Sequence, residues 1–327
     1  MKVLYLPQEG NAKDITSLCS SIRWSGDSQQ AARKVELEII ASAYDKNIPR
    51  VNISPGSMVT LVNDNNIEIF QGFVFMQEKD FSSQTAKVLC YDAMIYLTKS
   101  KAGYNFHDTT AEQIAGRICR DFGIKQGAVA ATGIKQSRIY IGKTPYEIIT
   151  EAYINAAKQN KKQYIFTMIE GKLNIAEKGN LKVGYLLDPE ANISSSRYSE
   201  SIENMINTVK IYDDSGNITG KRQNNDWVKL YGVLQEAYQK ETGKDAATVA
   251  DNMLKGIERS GEIEALGNTD CITGNAVQIK ECYSGIKGLF YISSDNHTWK
   301  DGLHTMQLTL DFEKICTEAG ESQLERL

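Results

Sequence analysis

From residue 289 to 312 the chain reads LFYISSDNHTWKDGLHTMQLTLDF, and Met306, Leu308, Leu310 and Phe312 alternate there with Thr305, Gln307, Thr309 and Asp311. A period of two marks a strand with one buried face. Such a strand cannot stand alone, so the segment is predicted to close a β-hairpin, with strands over 289–292 and 305–312. Two of the three histidines, His297 and His304, and one of the three tryptophans, Trp299, then fall in its turn. The pattern suits a structural β domain better than an active site.

Further strands follow the same logic. Val35, Leu37 and Ile39 alternate with Lys34, Glu36 and Glu38, while 58–62 and 67–74 flank the turn-rich Asn63-Asp64-Asn65-Asn66 and should pair. A strand over 87–91 comes next. From about Tyr104 the pattern turns helical. Thr110 with Gln113 forms a capping box, Ile114, Ile118 and Phe122 line one face, and Gly123 supplies a left-handed end. Thr144, Pro145 and Glu147 start a second helix whose Ile148, Ile149, Ala152, Tyr153 and Ala156 face a core. A tight hairpin follows, with strands over 164–169 and 172–175 joined by Glu170-Gly171. After Ser194-Ser195-Ser196 a second β-rich block begins. Strands at 208–212 and 218–222 should pair, 227–239 is amphipathic and partly helical, and Asp245 caps a helix carrying Ala246, Val249, Ala250, Met253, Leu254 and Ile257 on one side. Strands over 262–266 and 277–280 precede the final hairpin.

The predicted class is α+β, mainly β: two β-rich blocks, 1–99 and 191–327, each a barrel or a sandwich, on either side of a small α+β domain at 100–190. The two β blocks hint at a distant duplication without a strict repeat in the letters.

Catalytic chemistry finds little support. Nucleophilic catalysis needs a positioned base, and the chain offers only His107, His297 and His304, with no G-x-S-x-G elbow. Cys119 fits the stripe of its helix as a small core residue. Asp295, His297, Asp301 and His304 could bring metal ligands together, but their spacing matches no zinc signature, and a solvated turn anchored by Trp299 is the competing reading. No phosphate-binding loop is present. Lys158, Lys161 and Lys162 follow a helix, where cations offset the C-terminal dipole. With 37 Lys and Arg against 41 Asp and Glu, the net charge of −4 provides no overall cationic field for nucleic acid or anionic lipid. Six cysteines without a CxxC pair point to reduced thiols. No signal peptide or membrane span is evident, so the protein is expected to be made in, and at first to stay in, the cytoplasm, with no cofactor, no specific nucleic-acid binding and no membrane insertion.

Four segments carry a resemblance: DITSLCSSIRWSGDSQQAARKVELEII (14–40), YDAMIYLTKSKAGYNFHDTTAEQIAGRICRDFGI (91–124), YSESIENMINTVKIY (198–212) and YISSDNHTW (291–299). In their order and spacing the chain resembles the baseplate hub proteins of contractile phage tails, in particular the XkdQ-like family of PBSX-type prophages. The resemblance implies a non-enzymatic homotrimer whose β blocks are two tube-type antiparallel β-barrel domains per chain, 1–99 and 191–327, and which connects the sixfold tail tube to the threefold central spike in a phage, defective prophage or bacteriocin particle. Tail tube, spike, LysM-containing and wedge baseplate proteins would be its partners. Some such hubs carry a fused lysozyme or peptidase domain, which is not expected here. Trp24, Asn296, His297 and Trp299 fall in matching segments and are interface candidates, with core anchoring the competing role for Trp24. The alternative function is a peptidoglycan-binding or cell-wall hydrolase component of the tail.

Overall fold

The computed structural model describes residues 1–312 apart from 43, 179–181 and 242. The N-terminal strands are β1 (Lys2–Leu6), β2 (Lys13–Asp14), β3 (Cys19–Asp27), β4 (Gln30–Ile40), β5 (Met58–Val62), β6 (Glu68–Asp80) and β7 (Thr85–Asp92). They are hydrogen-bonded in the order β3-β4-β7-β6-β5-β1-β2, each pair antiparallel. The alternation read in β4 sets its faces: Val35, Leu37 and Ile39 are buried in a core with Val3, Tyr5, Trp24, Leu61 and Val88. The 58–62 strand and its neighbour pair as expected, with Leu61 opposite Phe70.

The middle segment builds a second core. α1 (Met94–Lys99), β8 (Ala102–Thr110), α2 (Ala111–Asp121), β9 (Lys125–Val129), β10 (Lys135–Lys143), α3 (Pro145–Asn160), β11 (Tyr164–Ile169) and β12 (Lys172–Glu177) follow in order. Both capping boxes form, Thr110 with Gln113 and Thr144 with Glu147, and Gly123 adopts φ +65. Ile114, Ile118, Cys119, Ile148, Ile149, Ala152 and Tyr153 are all buried together. The helical reading from Tyr104 is corrected: residues up to Thr110 belong to β8, antiparallel to β10. Tyr104 and Phe106 turn to the same side and stack at 5.2 Å, a period of two that the polar run His107-Asp108-Thr109 hides in the sequence. β11 and β12 form the expected hairpin, with Glu170 and Gly171 both at positive φ, and β12 also pairs in parallel with β9.

The remaining elements are β13 (Lys182–Leu187), β14 (Ile193–Ser201), β15 (Thr208–Tyr212), β16 (Ile218–Gln223), α4 (Asn225–Tyr231), β17 (Gln235–Gln239), α5 (Ala246–Met253), β18 (Glu258–Leu266), β19 (Ala276–Lys280), β20 (Lys287–Lys300) and β21 (Leu303–Asp311). The 227–239 segment is helix only to Tyr231, then a strand parallel to β15. Asp245 caps α5 by accepting from the Thr248 N–H, but the helix stops at Met253 and Leu254 is extended, so Ile257 lies outside it. Two compact units result: Met1–Ser196 together with the segment from Glu262 onward, and Arg197–Gly261. The smaller unit packs Val209, Ile211, Tyr238 and Ala250 into a core of its own. The larger unit brings together parts of the chain that the sequence places in successive blocks, because β20 pairs with β3. The mainly-β α+β class holds.

Candidate functional site

The final hairpin is longer than its alternation suggests. β20 runs unbroken through Asn296, His297 and Trp299, and the turn is only Asp301-Gly302, both at positive φ. Two such residues make the tight turn whose twist matches the flanking strands, and an Asp-Gly pair is a strong local signal for it. The expectation that the histidines and Trp299 occupy the turn is therefore corrected: all three are strand residues.

β20 has two partners on one side. Its first part pairs with β19, from Ala276 opposite Tyr291 to Lys280 opposite Lys287. After a register shift between Ile292 and Ser294 its second part pairs with β3, His297 lying opposite Trp24 and Trp299 opposite Ile22. β21 covers the other side from Tyr291, opposite Asp311, to Lys300, opposite Leu303. Strand alternation puts Asp295, His297 and Trp299 on one face, and this face meets the core of the N-terminal sheet.

An ion pair crosses that seam. Arg33 on β4 donates from Nη1 to Asp295 Oδ1 at 2.8 Å and from Nη2 to Oδ2 at 2.5 Å, a bidentate geometry. The Asp295 side chain has no exposed surface and that of Arg33 is 12% exposed. Oδ1 also accepts from the Thr273 backbone N–H at 2.6 Å and its hydroxyl at 2.7 Å. The guanidinium lies 4.2 Å over the Trp24 ring. Gly26 makes this passage possible, because a β-carbon there would stand 2.1 Å from Arg33 Nη1. Burial pushes the Asp295 carboxyl up, but the charge and hydrogen bonds of Arg33, then His297 and Thr273, outweigh it and hold the group below the usual carboxylate range.

The histidines continue the network. His297 Nε2 lies 3.1 Å from the Cys271 carbonyl oxygen, an acceptor, so Nε2 carries the hydrogen. Its Nδ1 then accepts from His304 Nε2 at 3.1 Å. His304 stacks on Trp299 at 4.0 Å and 17°, and its ring covers Gly267, where a β-carbon would approach within 2.2 Å. Burial pushes both imidazoles down to about 4, so they are neutral at neutral pH. The Cys271 thiol is pushed up to about 12 by burial and by Asp270 and Asp295.

Of the four interface candidates, Trp24 and His297 are buried inside the chain, while Asn296 and Trp299 are partly exposed. Trp24 anchors the core. Of the possible metal cluster, Asp295 and His297 spend their donors and acceptors on protein partners, His304 gives its Nε2 hydrogen to His297, and Asp301 sits in the exposed turn. Among the described residues no group of three His, Cys, Asp or Glu is arranged to hold an ion. Arg33, Thr273 and Gly26 escaped the sequence reading, since none belongs to a local motif. What the arrangement does is hold two distant parts of the chain in register.

This fold is that of phage tail proteins. The 43 kDa tail protein of prophage MuSo2 from Shewanella oneidensis matches with a TM-score of 0.71 over 95% of this chain and 98% of that one, at 16% identity. A component of the Escherichia coli type VI secretion system, itself described as similar in structure to the T4 tail proteins gp27 and gp5, matches with a TM-score of 0.54 over 92% of this chain and 74% of that one, at 9% identity. In sequence, the phage-like element PBSX protein XkdQ of Bacillus subtilis is 30% identical over 302 residues, covering 89% of this chain and 91% of XkdQ. The YQBQ-like family pattern spans residues 22–311, and the chain belongs to that family.

Proposed function

We propose that this protein is a non-enzymatic structural component of a phage or phage-like tail, and within it the hub that joins the tail tube to the central spike as a homotrimer. The carrying observation is a tail-protein fold that spans 95% of the chain, together with 30% identity to a protein of a phage-like element. The chemistry of the seam supports it. Its acid is neutralised by Arg33, its imidazoles are hydrogen-bonded and neutral, and Cys19, Cys90 and Cys271 are pushed up to about 12, so none is poised as a nucleophile. The two β blocks would act as tube-type domains, six per trimer, meeting the sixfold tube on one face and a threefold spike on the other. Assembly would take place in the host cytoplasm, with the protein ending in the particle's baseplate.

Native mass measurement and co-purification with the tube subunit test this reading. A trimer that retains the tube protein and releases no fragments from peptidoglycan is expected. A monomer that binds no tube subunit and cleaves peptidoglycan would overturn it in favour of the hydrolase alternative.

A further inference from the structure

A cavity of about 650 Å³ in the larger unit is walled by α3, β11, the 269–275 loop and the beginnings of β4 and β6. All seven consecutive residues 163–169 line it. Side chains of a strand alternate between two faces, so a wall on one face would show only every second residue. Here Tyr164, Phe166 and Met168 pack on the helical core, while Ile165, Thr167 and Ile169 project the other way. The cavity therefore runs along the edge of β11.

That edge is open. β11 stands at the end of a three-stranded sheet whose order is β11-β12-β9. The Lys178 N–H donates to the Gln163 carbonyl, which fixes the phase of the ladder. Residues 163, 165, 167 and 169 thus bond to β12, whereas the N–H and C=O groups of Tyr164, Phe166 and Met168 point away from it. Among the described residues these groups have no backbone partner outside their own ladder. A half-buried row of unpaired backbone groups facing a cavity is a template for another strand.

The charges around the cavity say what kind of strand. Asp27, Glu68, Asp270 and Asp311 line it against Arg33 and Lys178, and Arg33 is already held by Asp295 and Lys178 by Asp311. Asp27, Glu68 and Asp270 remain without a cation. The rest of the wall is largely apolar, including Ile67, Ile69, Met94, Tyr146 and Ile154. We propose that β11 receives an extended segment of a partner polypeptide as an added strand, one with apolar side chains at alternate positions and Lys or Arg at its ends. The six residues of β11 offer about 20 Å of edge.

Amide hydrogen exchange on the full chain tests this independently of the tail assignment. In the free protein, the amides of Tyr164, Phe166 and Met168 should exchange faster than those of Ile165, Thr167 and Ile169. Adding a Lys-Val-Thr-Val-Thr-Val-Lys peptide at about millimolar concentration should slow the first set by roughly tenfold or more. The same peptide with alternate amides N-methylated, or with glutamates replacing its lysines, should slow them little. Slow exchange of the first set without peptide would overturn the proposal by showing the edge already covered, by another part of the chain or, if concentration-dependent, by a second copy. Equal exchange with and without the lysine peptide would overturn it as well.

Discussion

Replacing Asp295 by alanine is the most informative perturbation of the seam. The carboxylate is fully buried and holds Arg33, whose position in sequence is 262 residues away, through two hydrogen bonds of 2.8 and 2.5 Å. Removing it leaves a guanidinium that is only 12% exposed without its counter-charge. Breaking one side of a buried pair costs about 3–5 kcal/mol, most of it the desolvation of the abandoned charge. Thr273 loses the acceptor for both its N–H and its hydroxyl, and one unsatisfied buried donor costs about 1–3 kcal/mol. The Arg33→Met, Asp295→Leu double variant abandons no charge and should recover about 2 kcal/mol or more of the single-variant loss. Urea unfolding followed by tryptophan fluorescence reads both values, because Trp24 lies beneath Arg33. An Asp295→Ala loss below about 1 kcal/mol, or a double variant whose loss equals the sum of the two singles, would refute the reasoning.

The histidines make stability pH-dependent. Their folded values of about 4 lie below the unfolded value near 6.5, so the unfolded chain binds the extra protons and stability falls as pH drops from about 6.5 towards 4. Asp92, buried and pushed up to about 7, opposes them: its contribution is full below about 4 and is lost as pH rises through 7. An Asp92→Asn variant should therefore steepen the acid-side loss from about one proton to about two, read as the slope of unfolding free energy against pH. Gly72→Ala should destabilise by about 1–3 kcal/mol in urea unfolding, since its β-carbon would stand 2.4 Å from Phe70 Cζ and 2.5 Å from the Tyr91 carbonyl oxygen. Thr144→Ala removes the acceptor for the Glu147 N–H at the start of α3 and should cost about 1 kcal/mol in the same assay.

Local rules account for most of what was legible beforehand. Both capping boxes, the Glu170-Gly171 hairpin, the buried faces of β4 and β21 and the pairing of β5 with β6 follow from residues within a few positions of one another. Where the reading failed, the local signal was mixed. His107-Asp108-Thr109 masked the alternation of β8, and Asn296, His297 and Thr298 made a continuous strand look like a turn although Asp301-Gly302 stood beside it. Trp24 was legible as a core anchor; the Arg33 that lies over it was not.

By itself, then, the sequence determined the mainly-β class, the helix starts, the hairpin turn chemistry and the kinship with tail proteins, all of which depend on short-range periodicity or on the order of segments. Only the tertiary structure decided that β20 would leave β19 for β3, that Arg33 would cross Gly26 to reach Asp295, and that β11 would keep an unpaired edge. Hydrogen-bond register and buried charge pairing between residues hundreds of positions apart leave no periodic trace in the chain, because the energy that selects them exists only once both partners have been withdrawn from water.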